Sequence, residues 1–483
     1  MNDSSGLSSD SSGHSRVVVM KFGGTSVEDA HAIRRLLRIV RSRLNFSVVV
    51  VVSALAKVTD ELLRLGRAAG NGESVDQGLA DLQQRHEQVA SDLLPEDERK
   101  RVGAQLADDI AQARTLLAKV SASGRLSPPL QDQLLGFGEC LSSKLVTAAL
   151  RYQNIDAQLV DARSCIVTDA HHTQASPLWS ETNQCLHQVL TPLLDALRVP
   201  VMAGFLGATR DGVPTTLGRG GSDFSATIVG AALHARRVEI WTDVDGVMTA
   251  DPNLCPDARP IKRISFEEAA ELAHFGAKVL HPATLVPLVD KKIPVYVLNS
   301  RNPDLEGTEI VPHCSSNGAV RAVTAKRSIA AVEISSAATL DSEFLQDIHA
   351  SFDRHHCPVE LMAWSHGKIS LLVGSTAALP ALAAELQHKA SLRWENHKAL
   401  ISLVGENIRR HPEIAGQVFA AVSDLDAGIV FQSASDRTIS FLVDESRAEE
   451  SVQRLHQVFF PGRKQPFPVP SSRSLCQAGE AWV

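Results

Sequence analysis

Apolar stretches separated by polar turns divide residues 16–312 into alternating predicted strands and helices. Short β-branched runs are typical of strands. They lie at 17–20, 47–52, 199–205, 237–241 and 294–298. The run at 47–52 is apolar at every position after Ser47, as in a strand buried on both faces of a parallel sheet. Helical spacing follows the first strand, at Ile33, Leu36, Leu37, Val40 and Leu44. This alternation predicts an α/β domain, with a mostly parallel sheet covered by helices on both faces.

A second pattern of strands and helices occupies the C-terminal third of the chain and occurs there twice in succession. Residues 328–397 and 398–460 each read strand, helix, two strands and helix, which is the pattern of a ferredoxin-like unit. The polar stretch 313–327 before them is predicted to be a linker. Ser/Gly/Asp-rich residues 1–15 are expected to be a disordered tail, and Pro/Ser-rich residues 461–483 a flexible one.

Glycine turns join two of the predicted strands to the helices that follow them. One is Lys-Phe-Gly-Gly-Thr-Ser at 21–26, and the other is Leu-Gly-Arg-Gly-Gly-Ser-Asp at 217–223. Glycine lets the backbone approach a ligand closely, and the N-terminus of the next helix attracts anions. Arg219 adds a planar fork suited to a carboxylate or phosphate. One such loop alone could equally be a tight turn with a surface arginine and a capping Asp223.

Charge and cysteine content narrow the classes of function. A net charge of −7 over 483 residues argues against non-specific binding to nucleic acid or to an anionic membrane. No apolar run is long enough to span a membrane. Seven cysteines without a CxxC pair fit reduced thiols in the cytoplasm. The 18 histidines form no cluster with metal-ligand spacing, so no protein metal site is expected.

Polar residues collect where the predicted strands end, which is where open α/β sheets bind ligands. The cations are Lys21, Arg219 and Lys278, the anions Glu139, Asp223 and Asp243, and the hydroxyls Ser53, Thr59 and Thr242. Glu139 taken alone is better explained as a favourable charge in the first turn of a helix. No nucleophile with a base, P-loop or GxGxxG motif is evident. Cations and backbone N–H groups without a nucleophile suit phosphoryl transfer, where a protein mainly positions reactants and neutralises charge.

Five motifs together resemble the aspartate kinase family. Beside the two glycine turns, they are Gly-Glu-Cys-Leu-Ser at 138–142, Trp-Thr-Asp-Val-Asp-Gly at 241–246 and Phe-Gly-Ala-Lys-Val-Leu-His-Pro at 275–282. The resemblance runs from about residue 17 to 460 and is greatest to the monofunctional, lysine-sensitive type. It implies an amino-acid-kinase fold at 16–312 and two ferredoxin-like βαββαβ ACT domains at 328–397 and 398–460.

The resemblance also implies an activity. The enzyme would phosphorylate the side-chain carboxylate of L-aspartate with MgATP to give 4-phospho-L-aspartate, the first step towards lysine through diaminopimelate, threonine and methionine. Mg²⁺ would be held mainly by the nucleotide. The implied partners are L-aspartate, ATP and an amino-acid effector at the ACT domains, in a homodimer or homotetramer.

Residue roles follow from motif position. Lys21 and Asp223 would be catalytic, and Ser53, Thr59, Glu139, Arg219 and Ser222 would bind aspartate. The nucleotide would contact Lys21, Gly23, Gly24, Thr242, Asp243, Met248, Asn253, Lys278 and Val279.

Three positions depart from the lysine-sensitive pattern. Met248 stands where a tyrosine is usual, and Asn253 where an arginine is usual. Both positions would contact the nucleotide, so these two changes are expected to alter the affinity for ATP. Glu343 replaces a glycine that faces the effector, so we expect weak or absent inhibition by lysine. Two rival hypotheses remain: a kinase of another amino acid, such as glutamate or acetylglutamate, and a catalytically silent regulatory protein.

Overall fold

The computed structural model describes residues 15–277, 280–314, 320–336, 342–365, 367–428, 430–432 and 435–461. The expected tails lie almost wholly outside these ranges. So do Lys278 and Val279 of the predicted nucleotide site. Among the described helices, none combines the length and the apolar character needed to cross a membrane.

An eight-stranded sheet organises the N-terminal part. The strands there are β1 (Val17–Phe22), β2 (Ser47–Val52), β3 (Ala157–Val160), β4 (Val167–Thr168), β5 (Val199–Ala203), β6 (Leu206–Thr209), β7 (Pro214–Thr216), β8 (Arg237–Thr242), β9 (Arg263–Ser265), β10 (Val295–Asn299) and β11 (Thr308–Val311). The order in the sheet is β3-β5-β2-β1-β8-β10-β11-β9, while β4, β6 and β7 form a small separate sheet. The first six strands of that order run parallel, and β11 is antiparallel to β10. The carboxyl ends of β1, β2, β5 and β8 therefore meet at one edge.

Helices cover both faces of this sheet, as the apolar strands predicted. They are α1 (Ala30–Arg41), α2 (Val58–Gly70), α3 (Asp76–Leu93), α4 (Glu96–Ser123), α5 (Pro128–Leu135), α6 (Phe137–Tyr152), α7 (Trp179–Asp195), α8 (Gly221–Ala232), α9 (Phe266–His274) and α10 (Pro282–Val289). In β1, Val18 and Met20 pack in the core with α1 to α6, and Val17 and Val19 pack in the core with α7 to α10. Because successive strand residues point to opposite faces, a run of β-branched residues packs into the cores on both sides of the sheet.

The C-terminal part is one six-stranded antiparallel sheet with order β13-β14-β12-β15-β17-β16. Its strands are β12 (Val320–Ser335), β13 (Val359–Ser365), β14 (Lys368–Val373), β15 (Ser391–Gly405), β16 (Val430–Gln432) and β17 (Thr438–Asp444). Its helices are α11 (Ser342–Arg354), α12 (Leu379–Leu386), α13 (Pro412–Ala421) and α14 (Ala448–Phe459). The βαββα pattern is present twice, with α11 and α12 in the first unit and α13 and α14 in the second.

The predicted boundaries of these units need a correction. Residues 320–327 were placed in a linker, but they form the first half of β12 and pair with the second half of β15. The second half of β12 pairs with the first half of β15, so the first unit is inserted into the second. A register shift near Ser328, whose φ is 58°, separates the halves. The strand escaped prediction because its buried residues, Ala322, Val323 and Thr324, form only a short run between the charged residues Arg321 and Lys326.

Polar contacts join the six-stranded sheet to the kinase part through α9. Arg321 pairs with the buried Glu268 at 2.8 Å, and Arg437 pairs with Glu267 at 2.7 Å. Thr438 donates to Glu271 at 2.8 Å. The two parts are therefore joined directly at the helix that leads into residues 275–282.

Candidate active site

A cleft of about 220 Å³ lies at the carboxyl ends of β1 and β2, against the N-terminus of α8. Its lining consists of Lys21, Ser53, Thr59, Glu139, Phe205, Gly218, Gly220, Gly221, Ser222 and Asp223. Both predicted catalytic residues and four of the five predicted aspartate-binding residues are among them. Residues more than 200 positions apart in sequence thus meet because parallel strands end at a common edge.

Lys21 and Asp223 form the central contact of the cleft. The Nζ atom of Lys21 lies 2.6 Å from Oδ1 of Asp223, and the two side chains are 10% and 15% exposed. Lys21 projects from the end of β1, while Asp223 lies in the first turn of α8. The pair places a cation where the backbone N–H groups at the start of a helix already favour negative charge.

Two glycines allow this close arrangement. Gly220 precedes α8 with a φ of 71°, a left-handed backbone conformation that residues other than glycine rarely adopt. A Cβ atom added to Gly204, after β5, would lie 2.7 Å from Cβ of Ser222. The strand end and the helix N-terminus can therefore approach each other only without a side chain at 204.

Glu139 is a buried carboxyl group at the wall of the cleft. It lies in the first turn of α6, is 4% exposed, and its Oε2 atom has no hydrogen-bond partner among the described residues. Burial raises the pKa of Glu139 to about 8, against the opposing effects of backbone hydrogen bonds and the charge of Lys21. A mere helix-dipole contact would leave the carboxyl group ionised and solvated. The unpaired oxygen instead favours a site for a cationic ligand group.

Asp132 is a structural residue of the site that the sequence analysis missed. It is fully buried in α5 and accepts hydrogen bonds from the Thr173 N–H at 3.0 Å and from Thr216 Oγ1 at 2.5 Å. Nδ1 of His172 lies 2.7 Å from its other oxygen. Asp132 thereby fixes the end of β7 directly before the loop at 217–223. An acidic residue inside the apolar pattern of α5 was the signal available in the sequence.

Arg219 is not brought into the cleft in this structure. Its side chain is exposed, and it makes no hydrogen bond or ion pair within the described ranges. Its neighbours Gly218 and Gly220 do line the cleft, with φ angles of 75° and 71°. The loop thus holds the arginine at the mouth of the cleft, pointing into solvent.

Four of the predicted nucleotide residues lie on the segment that begins at the end of β8. Thr242 ends β8, and its hydroxyl donates to Asp243 at 3.2 Å. Met248 is half-buried and bridges to Pro260, while Asn253 is exposed and donates to Asp251 at 3.0 Å. None of these four lines the cleft with Lys21.

The first glycine turn adjoins the end of β8. The Gly23 N–H donates to the carbonyl of Trp241 at 3.0 Å, so this N–H is engaged within the protein. Gly24 packs against the loop after β2, because an added Cβ atom would lie 3.1 Å from the Ala54 carbonyl oxygen. The turn therefore joins the ends of β1, β2 and β8 beneath the predicted nucleotide site.

Comparison with known protein families supports the resemblance. Residues 16–299 match the amino acid kinase family, and residues 401–459 match an ACT domain family. The lysine-sensitive aspartokinase 3 of Escherichia coli is 34% identical over 455 residues, which is 92% of this chain and the whole of that protein. Aspartokinase 3, chloroplastic, of Arabidopsis thaliana is also 34% identical, over 92% of this chain and 81% of that protein.

Solved structures of E. coli aspartokinase III resemble most of the chain. Its complex with aspartate and ADP, an R-state, matches with a TM-score of 0.83 at 32% identity, over 92% of this chain and all of that one. Its complex with lysine and aspartate, a T-state, matches with a TM-score of 0.78 over the same shares. The arrangement of kinase and regulatory parts in this chain is thus shared with solved structures.

Proposed function

Since the chain belongs to the amino acid kinase family and is an aspartate kinase, we propose that the cleft around Lys21 and Asp223 is its catalytic centre. The reaction transfers a phosphoryl group from ATP to the side-chain carboxylate of L-aspartate, giving 4-phospho-L-aspartate. The observation that carries the assignment is the 2.6 Å Lys21–Asp223 pair at the N-terminus of α8, beside the unpaired oxygen of Glu139. One cleft thereby offers groups for a transferred phosphoryl and for an α-ammonium.

The chemistry needs charge neutralisation more than proton transfer. An aspartate side chain with a pKa near about 3.9 is already ionised at neutral pH, so attack requires no general base. The obstacle is repulsion between this carboxylate and the phosphates. Lys21 would contact the transferred phosphoryl group, and the N–H groups of α8 would receive part of its charge. Asp223 would hold the Lys21 ammonium in place until the phosphates arrive.

Substrate recognition would use the opposite charges of the aspartate backbone groups. Glu139 would accept hydrogen bonds from the α-ammonium, and Arg219 would clamp the α-carboxylate as a bidentate fork. Because Arg219 is exposed here, this role requires its side chain to turn inward when aspartate binds. Ser53, Thr59 and Ser222 already line the cleft and would contact the substrate by their hydroxyls.

The nucleotide would lie over the ends of β1 and β8. Gly23, Gly24, Thr242 and Asp243 border this position, and Met248 and Asn253 lie farther along the same segment. Lys278 and Val279 are proposed to contact the nucleotide as well, on the basis of their sequence motif alone. Among the described residues, no group of three or more His, Cys, Asp or Glu side chains could hold a metal ion. We assign Mg²⁺ to the phosphates of ATP, which would hold it in the cleft.

A substrate panel tests the proposed specificity. ADP release should be fast with L-aspartate and near background with L-glutamate and N-acetylglutamate. One more CH₂ group displaces the side-chain carboxylate from the phosphoryl group when the α-ammonium is held at Glu139, and N-acetylglutamate has no α-ammonium. Equal turnover with glutamate would contradict the assignment of the cleft to aspartate.

The use of aspartate should depend on pH through Glu139. Because its pKa is raised to about 8, the free protein holds this carboxyl group protonated at pH 7. An incoming ammonium group favours the ionised form, so aspartate binding should release a proton at pH 7 and tighten as pH rises towards 8. We expect kcat/KM for aspartate to rise over this range, and Glu139→Gln to flatten the profile. An identical rise in the variant would contradict the role.

Inhibition by lysine should be weak or absent, although E. coli aspartokinase III has been solved with lysine bound. Glu343 lies in the first turn of α11 and is exposed, so its backbone is helical and it needs no glycine-like conformation. Its bulk and charge are therefore the proposed obstacle to an effector. The stretch 337–341 before it lies outside the described residues.

Initial rates against lysine, threonine and methionine, singly and in pairs, test this expectation. Allosteric inhibition needs a differential affinity of only about 1–3 kcal/mol between two states, which a local clash can remove. We expect little loss of rate with millimolar lysine and a gain of sensitivity in Glu343→Gly. Half-inhibition of the unaltered enzyme by submillimolar lysine would refute the prediction.

The protein should form at least a dimer through its ACT units. Strand β13 is an edge of the six-stranded sheet, and its Met362 and Trp364 side chains are 36% and 64% exposed. An unpaired strand edge with apolar side chains favours association. Sedimentation at micromolar concentration should give a species of twice 52.0 kDa or more. A monomer alone would exclude this pairing.

A further inference from the structure

A basic groove lies between α1, the end of α3 and the end of α6, and shares no lining residue with the catalytic cleft. Its volume is about 460 Å³, within the roughly 300–1,000 Å³ typical of small-molecule sites. One wall carries His31 and four arginines of α1, and the other carries Tyr152. The arginines are Arg34, Arg35, Arg38 and Arg41. None of its lining residues is assigned a role in the reaction described above.

The positive charge of this groove is not balanced by the protein. No acidic side chain lines it, and within the part of the chain that the structure describes none of the four arginines forms an ion pair. Arg34 donates to the main-chain carbonyl of Asp92, and Arg41 to that of Gln153 at 2.6 Å. Like charges three and four residues apart destabilise a helix. An anion in the groove would remove this repulsion, in a protein whose net charge is −7.

Arg35 is the half-buried arginine of the groove. Its Nε atom is buried and has no hydrogen-bond partner among the described residues. A buried charged donor without a partner is unfavourable and rare in native structures. Arg35 lines the groove, so a bound anion can supply acceptors to its guanidinium group.

The geometry of the arginines indicates the class of anion. Arg34 and Arg41 lie seven residues apart on one helix, so their Cα atoms are about 10 Å apart along its axis. Guanidinium groups match phosphate oxygens in bidentate pairs. A single phosphate would reach only part of this row. We propose that the groove binds an oligophosphate, either inorganic or the phosphate chain of a nucleotide.

Calorimetric titration with tripolyphosphate and with ADP tests the proposal and separates the two sources. The key variant is Arg34→Gln/Arg38→Gln, in which both replaced side chains are exposed. The matched control is Arg67→Gln/Arg125→Gln, which removes two exposed arginines outside the groove. Titrations in a Lys21→Ala background remove the phosphate contact of the catalytic cleft.

We expect tripolyphosphate to bind in the Lys21→Ala background. Its affinity should fall about tenfold or more for each arginine removed from the groove, and not in the control. Arg35→Gln should weaken binding likewise, and added salt should weaken it steeply. If the groove variant loses affinity for ADP as well as for tripolyphosphate, the ligand of the groove is a nucleotide. If only tripolyphosphate binds to the groove, the ligand is an inorganic anion.

Three results would overturn the proposal. They are no binding of either probe, equal weakening in the control pair, and binding that Lys21→Ala abolishes but the groove variant leaves unchanged. The last would assign the phosphates to the catalytic cleft. Turnover with aspartate and ATP in the groove variant, under the same buffer, confirms that the fold is retained.

Discussion

Replacing Lys21 with alanine is expected to lower kcat by about 10²–10³-fold while the protein remains folded. The reason is the loss of a preorganised cation at the phosphoryl group, a contact whose removal typically has this effect. Lys21 is 10% exposed and pairs only with Asp223 among the described residues, so its removal leaves the sheet core unchanged. Steady-state rates of ADP release, with circular dichroism as a check on folding, measure the effect.

Asp223→Ala should give a comparable loss, because the freed ammonium of Lys21 would no longer be held at the helix N-terminus. Lys100→Ala serves as the control, since it breaks the exposed Lys100–Glu96 pair on α4, far in sequence from the cleft. The control should keep its rate. Near-normal turnover in either cleft variant would remove Lys21 and Asp223 from the catalytic assignment.

Arg219→Ala and Glu139→Ala should mainly impair the use of aspartate. Each would leave one charged end of the substrate unpaired in a partly buried site, at a cost of about 2–5 kcal/mol, or roughly 30-fold to several thousandfold in kcat/KM. KM for ATP should change much less. Arg210→Ala is a suitable control, because Arg210 is an exposed arginine that pairs with Glu181.

Equal effects on aspartate and ATP would point to a structural role for both residues. An unchanged kcat/KM for aspartate in Arg219→Ala would mean that the exposed side chain seen here never turns inward. In that case the first, simpler interpretation of the loop, a tight turn with a surface arginine, would be correct.

Much of the kinase fold could be predicted because its parallel strands are buried on both sides. Strand β2 carries five consecutive valines that pack in two different cores, and only such a strand needs an unbroken apolar run. The same logic failed for 320–327, where a strand that is only partly buried carries three charged residues, Arg321, Lys326 and Arg327. The polar residues give no strand pattern there, because the strand is formed by pairing with β15, about 80 residues later in the sequence.

The site was predictable to the extent that it lies at strand ends. Lys21, Ser53 and Asp223 meet there because chain topology brings parallel strand ends together. Asp132 was missed because its partners, His172, Thr173 and Thr216, become neighbours only in the folded chain. The direction of the Arg219 side chain is likewise absent from the sequence, since it depends on the three-dimensional course of the loop at 217–223.

The hydroxamate assay tests the central claim most directly, because hydroxylamine traps an acyl phosphate as it forms. With L-aspartate, ATP and Mg²⁺, the unaltered chain should accumulate aspartyl hydroxamate in step with ADP. Lys21→Ala should reduce both products together by about 10²–10³-fold. ADP release without hydroxamate, or hydroxamate formed equally well by Lys21→Ala, would contradict an aspartate kinase acting through this cleft.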